Sequence, residues 1–591
     1  MRKSFACKVV AGFVVAVALC GFGDEAVTAT WIGTTGSAWT DGANWDTGVV
    51  PGLTTNVKFS AGSSMTVTAS GTLPTFATMM VVGKGVTFNL SNDARMTSSG
   101  PVSNVNTTAY SGGAYAFDGN LVIGKAKGWI DNDPSYSTSG QFENCVAEIG
   151  GLIQVSGYSG NGLKVKRGAV VTSGGYVDRD GTRNASVISE EGVFHSTGDI
   201  SIRDSWPNDS YPCPLTVDGG TVTNDGAFTI AAGNAGNVPV VLKNGATWRQ
   251  AGVSDIACKN TGNSLQILSG SSFESTNDVV MGSAASKSKN NLLVVDGAST
   301  LKAKLLKVGN ANRVTNHFVR VSDRSRLEVS GTLYLGACYA ASNMTLSVDG
   351  GSSCKLGGLQ VGSGKSIAED LSVIVSNSSI EVANSVKLPY DTTCRSTRFV
   401  LSGAGASAEF KDGLVIGAGS KADSAPPRLV PTEVLIDDGV LVSGTLADDG
   451  STSGDTRLGG LNVGGEYDKA SNRVVVAGNG CFVVRHRCMS AGNPILEFRV
   501  PEGGYMNSYG CGLQVKNGYL TNANFVIDLT RITQSGEYVI AKSTANDLNV
   551  DLAKVTVRVP ENCRYVVKQA SKASPLSVEV KFRTGMILIF R

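Results

Sequence analysis

Charge is scarce in this chain, and neither sign prevails. Of its 591 residues only 17 % are charged; there are 51 Lys and Arg and 49 Asp and Glu, which gives a formal net charge of +2. Proteins that bind nucleic acids usually carry a basic patch or stripe, so this balance argues against a nucleic-acid partner. The hydrophobic fraction is 41 %, which is enough to bury a core and argues against a wholly disordered chain.

Beyond its N-terminus the chain lacks any apolar run of about 18 residues, the length that a membrane-spanning helix needs. One shorter run ends at Leu19; it follows a positive start and precedes small residues, as in a secretory signal peptide. We predict that residues 1–29 are this signal, cleaved after Ala29, with cleavage after Gly23 as the alternative. A lipid anchor on Cys20 is disfavoured because Leu19 is too large for the preceding position. We therefore expect an exported protein, secreted or at the cell surface, with no transmembrane segment in the mature chain.

Closely spaced cysteines are also missing. Twelve cysteines are present, and no two have the C-x-x-C spacing of a zinc site. Two of them leave with the predicted signal, and the wide, irregular spacing of the other ten argues against a disulfide scaffold. We favour scattered interior thiols, with one or two local bridges such as Cys481–Cys488, which an oxidising compartment would permit. The sequence predicts no metal and no cofactor.

Histidine is rare, and no catalytic constellation accompanies it. Three isolated histidines are present: His195, His317 and His486. A basic surface strand explains His486, between two arginines, better than a nucleophilic site does. A polysaccharide lyase or hydrolase needs clustered carboxylates or a calcium site, whereas the acidic pairs at 437–438 and 448–449 precede Gly and resemble turns. We predict no catalytic residue and no metal ligand; the ligand-binding residues stay unknown.

What the chain has in abundance is one short pattern: an apolar residue, a spacer, another apolar residue and usually Gly. Clear copies end at Gly309, Gly336, Gly362, Gly417 and Gly464. When degenerate copies are included, most intervals between successive copies measure roughly 25 residues, a period typical of repeat proteins. Repetition at a nearly constant spacing is the signature of a solenoid.

Each repeat contains three short strands. In residues 292–309, a first strand leads to an Asp-Gly turn, a second carries Leu301, and a third ends at Val308. Apolar residues alternate with a period of two, which indicates strands rather than helices. Three strands and three turns fill about 27 residues. We therefore predict an all-β fold, a right-handed parallel β-helix (solenoid) with coils of this length; a series of β-sandwich domains is the alternative.

Insertions interrupt the repeats, and most of them follow the third strand. The longest are residues 125–141, 204–214 and 418–432, while another, 447–457, lies elsewhere in its coil. Loops that leave the same corner of every coil line up along one edge of a stack. That edge is the natural place for binding, with neutral variation in loop length as the other explanation.

The most distinctive local pattern lies near the N-terminus. Trp31, Trp39 and Trp45 fall within fifteen residues, and Asn44 and Pro51 complete a W-x-G…W-x-x-x-x-N-W…P pattern. The first coil of a solenoid needs a cover, because open strand edges invite pairing with other chains. We predict that residues 30–70 form an aromatic cap; an exposed platform on which sugars stack is the alternative.

This pattern, with repeats rich in Gly, Ser, Thr and Asn, resembles autotransporter-passenger proteins, including those with autotransporter-associated β-strand repeats. The resemblance implies a secreted or surface β-helix and carries no specific activity. Self-exporting members of that family end in an outer-membrane barrel. The part from about residue 494 is too short for a twelve-stranded barrel, so we expect a small antiparallel β domain there, without a recognisable translocator.

The sequence thus divides into a signal peptide (1–29), a Trp-rich cap (30–70), β-helix repeats (71–493) and a last coil with a C-terminal β cap or anchoring domain (494–591). The function we expect is that of an exported structural or adhesive β-solenoid of the bacterial cell surface or extracellular space, without catalysis. Its partners would be host or environmental glycans or cell-surface components. A polysaccharide-binding or polysaccharide-degrading β-helix protein is the alternative.

Overall fold

The structure is a computed structural model that describes residues 26–582 with internal gaps. The gaps are 34–35, 61, 84, 125–137, 157–161, 180–184, 203–214, 232–235, 257–260, 284–287, 312, 338–340, 363–368, 390–393, 395, 418–431, 447–451, 459–471 and 491–492. Most of the predicted signal peptide, residues 1–25, therefore lies outside the described residues, as do residues 583–591.

Strands dominate the described part of the chain, and almost all of them are parallel. They form three rows, and each strand pairs with the strands of its own row one coil earlier and one coil later. The described residues contain no α-helix; their two helical turns, Gly42–Asn44 and Leu552–Lys554, are of the 3₁₀ type. None of the described segments is a helix long and apolar enough to cross a membrane. The prediction of an all-β parallel β-helix is confirmed.

The first row contains nineteen described strands: Met65–Ala69, Val86–Leu90, Thr108–Ser111, Ser139–Glu143, Gly162–Val165, Ser186–Ser189, Leu215–Asp218, Pro239–Lys243, Ser264–Ile267, Leu292–Val295, Thr315–Val321, Ser342–Val348, Glu369–Ser376, Thr397–Ser402, Thr432–Asp437, Arg473–Ala477, Ile495–Arg499, Asn524–Asp528 and Val555–Arg558. The second row contains Arg95–Ser98, Ala114–Phe117, Val193–Ser196, Thr221–Asn224, Thr247–Gln250, Ser272–Ser275, Thr300–Ala303, Ser379–Val382, Ser407–Phe410 and Val440–Ser443.

The third row contains Thr28–Trp31, Asn56–Phe59, Thr78–Val81, Val102–Asn104, Leu121–Ile123, Ile200–Ile202, Phe228–Ile230, Ser254–Ile256, Val279–Met281, Leu306–Val308, Val386–Leu388, Leu414–Ile416 and Thr456–Leu458. Seven longer strands bend and serve the second and third rows in turn: Val146–Ser156, Val170–Arg179, Arg326–Leu335, Ser353–Val361, Cys481–Ser490, Leu513–Leu520 and Gly536–Val550. A two-stranded antiparallel hairpin, Thr445–Leu446 with Thr452–Ser453, lies between the second and third rows of its coil.

The strand register measures the length of a coil. In the first row Leu293 pairs with Val319, Val319 with Leu346, and Leu346 with Val373. These side chains are buried, so each packs on its counterparts about 4.8 Å above and below. Buried apolar residues throughout the described chain belong to one core cluster. The register of these pairs confirms the predicted repeat length, and the alternative of separate sandwich domains is wrong.

Glycines that end the repeated pattern turn the chain out of the third row. Gly309, Gly336 and Gly362 directly follow third-row segments and have φ of 74°, 72° and 72°. A side chain is strained at such positive φ. At Gly336 a Cβ would also lie 3.0 Å from Leu371 Cδ1, so the corner leaves little room for one. This explains why Gly ends the repeated pattern.

A ladder of buried serines supports the corner before the second row. Backbone N–H groups donate to the serine Oγ one coil further on, from Ala246 to Ser271, Ser271 to Ser299, Ser299 to Ser325, Ser325 to Ser352 and Ser352 to Ser378, at 3.1 to 3.2 Å. All five serines are buried. These N–H groups point into the interior, where an unpaired donor is costly, so the hydroxyls satisfy them in place of water.

We expect Ser325→Ala to lower the free energy of unfolding by about 1–3 kcal/mol, because it leaves the buried Ser299 N–H without an acceptor. Urea denaturation followed by circular dichroism measures this. Ser407→Ala is the matched control, since Ser407 begins a second-row strand two coils after Ser352 with its side chain exposed. Equal effects of the two substitutions would contradict the structural role of the ladder.

The three N-terminal tryptophans are buried against one another. The ring centroid of Trp45 lies 5.0 Å from that of Trp31 and 4.9 Å from that of Trp39, both in edge-to-face geometry. Trp45 Nε1 donates to the Trp39 carbonyl oxygen at 2.9 Å, and Phe59 packs on all three rings. At most 5 % of any of these tryptophans is exposed, so they form a packed cover and offer no stacking platform.

The parallel winding starts earlier and runs further than the expected boundaries. Thr28–Trp31 already pairs in parallel with Asn56–Phe59. At the other end, Asn524–Asp528 and Val555–Arg558 still belong to the first row. The antiparallel part at the C-terminus is accordingly small: Cys563–Lys568 and Leu576–Phe582 pair with each other, and the latter pairs with the start of Gly536–Val550.

Candidate functional site

The longest predicted insertions leave the solenoid at one corner of the coil, which can be located from the strands that precede them. Three third-row strands end just before the chain enters an insertion: Leu121–Ile123, Ile200–Ile202 and Leu414–Ile416. Of the predicted insertions, 204–214 and most of 125–141 and 418–432 lie outside the described residues; the ends of the latter two, from residue 139 and at residue 432, belong to first-row strands instead. Each therefore starts at the corner between the third and first rows, as the sequence predicts. The insertion after Val440–Ser443 begins at another corner, also as predicted.

The acidic pair at 437–438 lies in a turn. Asp437 is the last residue of a first-row strand, and Asp438 has a φ of 60°. The Asp438 Oδ1 accepts a hydrogen bond from the Asn479 backbone N–H at 2.7 Å, which ties this corner to the next one. The turn interpretation is confirmed for this pair. The second pair, at 448–449, lies outside the described residues.

Two of the three histidines have acidic partners. His195 Nε2 lies 2.8 Å from Asp225 Oδ2 on the outer face of the second row, where both side chains are well exposed. Such a surface pair contributes little to stability. His486 contacts Asp455, while His317 is buried in the first row.

His317 lies between a polar and an apolar stretch of its row: the buried Asn291 occupies this position one coil earlier, and apolar side chains occupy it in the next two coils. It pairs with Met344, which in turn pairs with Leu371. Its Nδ1 faces the Asn291 backbone N–H at 3.4 Å, and its Nε2 lies 3.5 Å from Ser288 Oγ. Burial lowers the pKa of His317 to about 4, so the ring is neutral at physiological pH. We assign it a packing role.

We expect the stability of the protein to depend on His317 below pH 6.5. The folded pKa of about 4 lies below the ordinary 6.5, so between these values the unfolded state binds more protons. The contribution of the neutral His317 ring to the free energy of unfolding is complete above pH 6.5. It declines as the pH falls, and at pH 4 it is smaller by about 3 kcal/mol. Urea denaturation from pH 4 to 7 should show that His317→Gln removes this dependence and His195→Gln keeps it. Parallel curves for wild type and His317→Gln would contradict the account.

A polar cluster surrounds His486 at the bend of Cys481–Ser490, where the register shifts between Val484 and Arg487. Arg487 donates two hydrogen bonds to Asp455, from Nε to Oδ1 at 3.1 Å and from Nη2 to Oδ2 at 2.9 Å. His486 Nδ1 shares a hydrogen bond with the same Asp455 Oδ1. The three side chains are partly exposed and form one ion-paired unit, which we call the Asp455 cluster.

The electrostatics of the Asp455 cluster suit binding better than proton donation. Burial raises the pKa of Asp455, but the hydrogen bonds from Arg487 and His486 outweigh it and hold that pKa below its ordinary value. Asp455 is therefore ionised at neutral pH. A glycosidase acid needs a raised pKa and a second carboxylate at a set distance. Glu409 pairs instead with Arg485, at 2.7 Å from Nη1 to Oε1.

The outer face of the second row carries charges of alternating sign in successive coils. Strand register stacks these residues in order: Arg249, Glu274, Lys302, Glu328, Lys355 and Glu381. Lys302 Nζ lies 3.0 Å from Glu274 Oε1, and this hydrogen bond raises the pKa of Lys302. Opposite charges in adjacent strands attract, and the face carries no field of one sign that would draw in a polyanion. In the sequence these charged residues occur once per coil, at the spacing of the repeat, and this spacing is the pattern from which the charged row could have been predicted.

The seven cysteines that the structure describes are buried. Cys481 lies in the second-row part of one bent strand, where it pairs with Val440, and Cys488 lies in the third-row part, where it pairs with Thr456; the two form no disulfide with each other. The predicted Cys481–Cys488 bridge is therefore wrong. The prediction relied on the short distance between the two cysteines in the sequence. An extended backbone keeps residues of one strand apart in space, so nearness in the sequence does not bring their side chains together.

No group of three His, Cys, Asp or Glu side chains among the described residues could hold a metal ion. The Asp455 cluster is a partly exposed polar site of the described chain, and the corner between the third and first rows is where the predicted insertions begin. Comparisons of the chain with protein-family models, with curated proteins and with solved structures found no match.

Proposed function

We propose that this protein is an exported, non-catalytic β-solenoid that serves as a structural or adhesive element at the bacterial cell surface or in the extracellular space. The observation that carries the proposal is the single core that runs through nineteen first-row strands. At about 4.8 Å per coil these strands make a rod about 90 Å long. Such a rod suits the display of loops at a distance from an anchor.

The surface of the rod supports adhesion rather than turnover. Charges on the second-row face are neutralised in pairs, and Asp455 and Glu409 are each engaged by arginine. Host or environmental glycans and cell-surface components are the partners we propose, bound at the corner between the third and first rows. The resemblance of the N-terminal pattern and the repeats to autotransporter passengers supports the same role.

A glycan array combined with a reducing-sugar assay tests the proposal on the purified mature chain. We expect retention on some glycans and no release of reducing ends. Release of sugar would overturn the non-catalytic assignment, and the absence of binding to glycans and to bacterial or host cells would overturn the adhesive one. Bovine serum albumin and a heat-unfolded sample serve as controls for non-specific retention.

A polysaccharide-degrading enzyme is the second candidate, and the Asp455 cluster is the observation that favours it. An imidazole oriented by a carboxylate beside an arginine can bind and deprotonate a polar substrate. If the chain cleaves a polysaccharide there, Asp455→Asn and His486→Gln should each abolish cleavage. His195→Gln is the control, because His195 forms a similar pair with Asp225 elsewhere on the rod.

If the chain is exported as predicted, we expect its mature N-terminus at Asp24 rather than at Thr30. Ala29 is buried in the first third-row strand, where it pairs with Val57, and the Val27 carbonyl oxygen accepts the Asn56 N–H at 2.8 Å. Cleavage after Ala29 would remove half of that strand. Intact mass measurement of the exported protein decides between the two, and a chain that begins at Thr30 would contradict this expectation.

A further inference from the structure

Two cysteines far apart in the sequence meet beneath a C-terminal loop. Phe482 pairs with Leu513 in the second row, and the Phe482 N–H donates to the Gly512 carbonyl oxygen at 2.9 Å. Cys481 therefore lies beside Gly512, one residue from Cys511. One strand spacing and one residue of rise separate their Cα atoms by about 6 Å, within the range of a disulfide. Their thiols are in hydrogen-bond contact.

The loop that precedes Cys511 closes over the pair. Asn507 Nδ2 donates to the carbonyl oxygens of Asn479, Gly480 and Cys511 at 3.0 to 3.2 Å. The Asn507 side chain therefore ties the loop to the corner just before Cys481. Both cysteines are completely buried, so no solvent separates the two sulfurs.

We propose that Cys481 and Cys511 form a disulfide that fastens residues 500–512 to the coil beneath them. This pairing replaces the Cys481–Cys488 bridge expected from the sequence. The two thiols lose two protons and two electrons as the S–S bond forms. A disulfide-containing oxidant, such as oxidised glutathione or a thiol–disulfide oxidase, is cleaved and accepts them as two thiols. Because the native pair is buried, the exchange takes place while the chain folds.

The two thiols differ in pKa in the folded protein. The hydrogen bond between them, together with burial, raises the pKa of Cys481, whereas the same hydrogen bond lowers the pKa of Cys511. The Lys542 ammonium also favours the Cys511 thiolate. In the folded, reduced protein the two thiols therefore differ in how readily they lose a proton.

The purified full chain, unfolded and refolded with oxidised and reduced glutathione, tests this directly. Unpaired thiols are then alkylated under denaturing conditions, and peptides are mapped by mass spectrometry without reduction. We expect one linked peptide pair that contains Cys481 and Cys511 and is lighter by two hydrogen atoms. Cys354→Ala, which removes a buried second-row cysteine, should leave the link intact, whereas Cys481→Ala and Cys511→Ala should each abolish it.

Alkylation of both Cys481 and Cys511 in refolded wild-type protein, or linkage of either to another cysteine, would overturn the proposal. The wild-type result does not depend on the variants, so a variant that fails to fold leaves the test intact. The oxidising compartment follows from the proposed export, but the refolding experiment does not need it. Reduced cysteines in the cellular protein together with linkage after refolding would count against export and not against the pairing.

Discussion

Replacement of Leu346 by Asp should disrupt the middle of the stack. Leu346 is completely buried between Val319 and Val373 of the neighbouring coils, so the new carboxylate would have no charge partner there. A buried, unpaired charge is among the most destabilising changes a core can suffer, and we expect a loss of about 4 kcal/mol or more. Urea denaturation measures the loss, and amide hydrogen exchange shows where the coils open.

Thr345→Asp is the matched control for this substitution. Thr345 precedes Leu346 in the same strand, but its side chain is partly exposed on the outer face between Phe318 and Ser372. Because strands alternate between faces, the same carboxylate here stays in water, and we expect a change within about 0.5 kcal/mol. If both substitutions destabilise the protein equally, the inward and outward faces of the first row are assigned incorrectly.

Trp45→Ala should open the N-terminal end of the rod and leave its middle intact. Trp45 contacts Trp31, Trp39 and Phe59, and truncation of a buried Trp costs about 3–5 kcal/mol. Each coil of a solenoid contacts only its neighbours, so the damage should stay local. In hydrogen exchange we expect Asn56–Phe59 to lose protection while strands beyond residue 200 keep theirs.

Ile32→Ala provides the comparison for the cap. Ile32 follows Trp31 and is half exposed, so its truncation should change the exchange of the first coils very little. Loss of protection along the whole chain in Trp45→Ala would contradict the local character of the cap. Unchanged exchange in the first coils would show that the tryptophans do not hold them together.

The repeat spacing and the position of Gly were enough to predict the winding. Gly309 and Gly336 mark the ends of third-row segments because the corner there needs positive φ and leaves little room for a side chain. This local requirement recurs once per coil, so it is visible in the sequence. The tryptophan cap was predictable for a similar reason, since large apolar residues must be buried somewhere near the open end.

Polar contacts that span an insertion or a bulge could not be predicted from the sequence. Asp455 meets Arg487 across 32 positions, and residues 459–471 intervene, so no repeat spacing predicted the pair. The contact between Cys481 and Cys511 could not be predicted either, because the bulge between Val484 and Arg487 lies between them in the sequence. Within the regular coils, neighbours can be inferred by counting along the repeat; where an insertion or a bulge changes the count, only the strand register identifies them.

The spacing between coils can be measured directly with pairs of spin labels at Thr216, Ser347 and Thr556, introduced without the use of cysteine. All three residues lie on the outer face of the first row. Along that row, five strand pairings separate Thr216 from Ser347, and seven separate Ser347 from Thr556. At about 4.8 Å per pairing we predict distances of about 24 Å and 34 Å, which add to about 58 Å between Thr216 and Thr556. A Thr216–Thr556 distance well below that sum, or broad distributions for all three pairs, would contradict a single continuous stack.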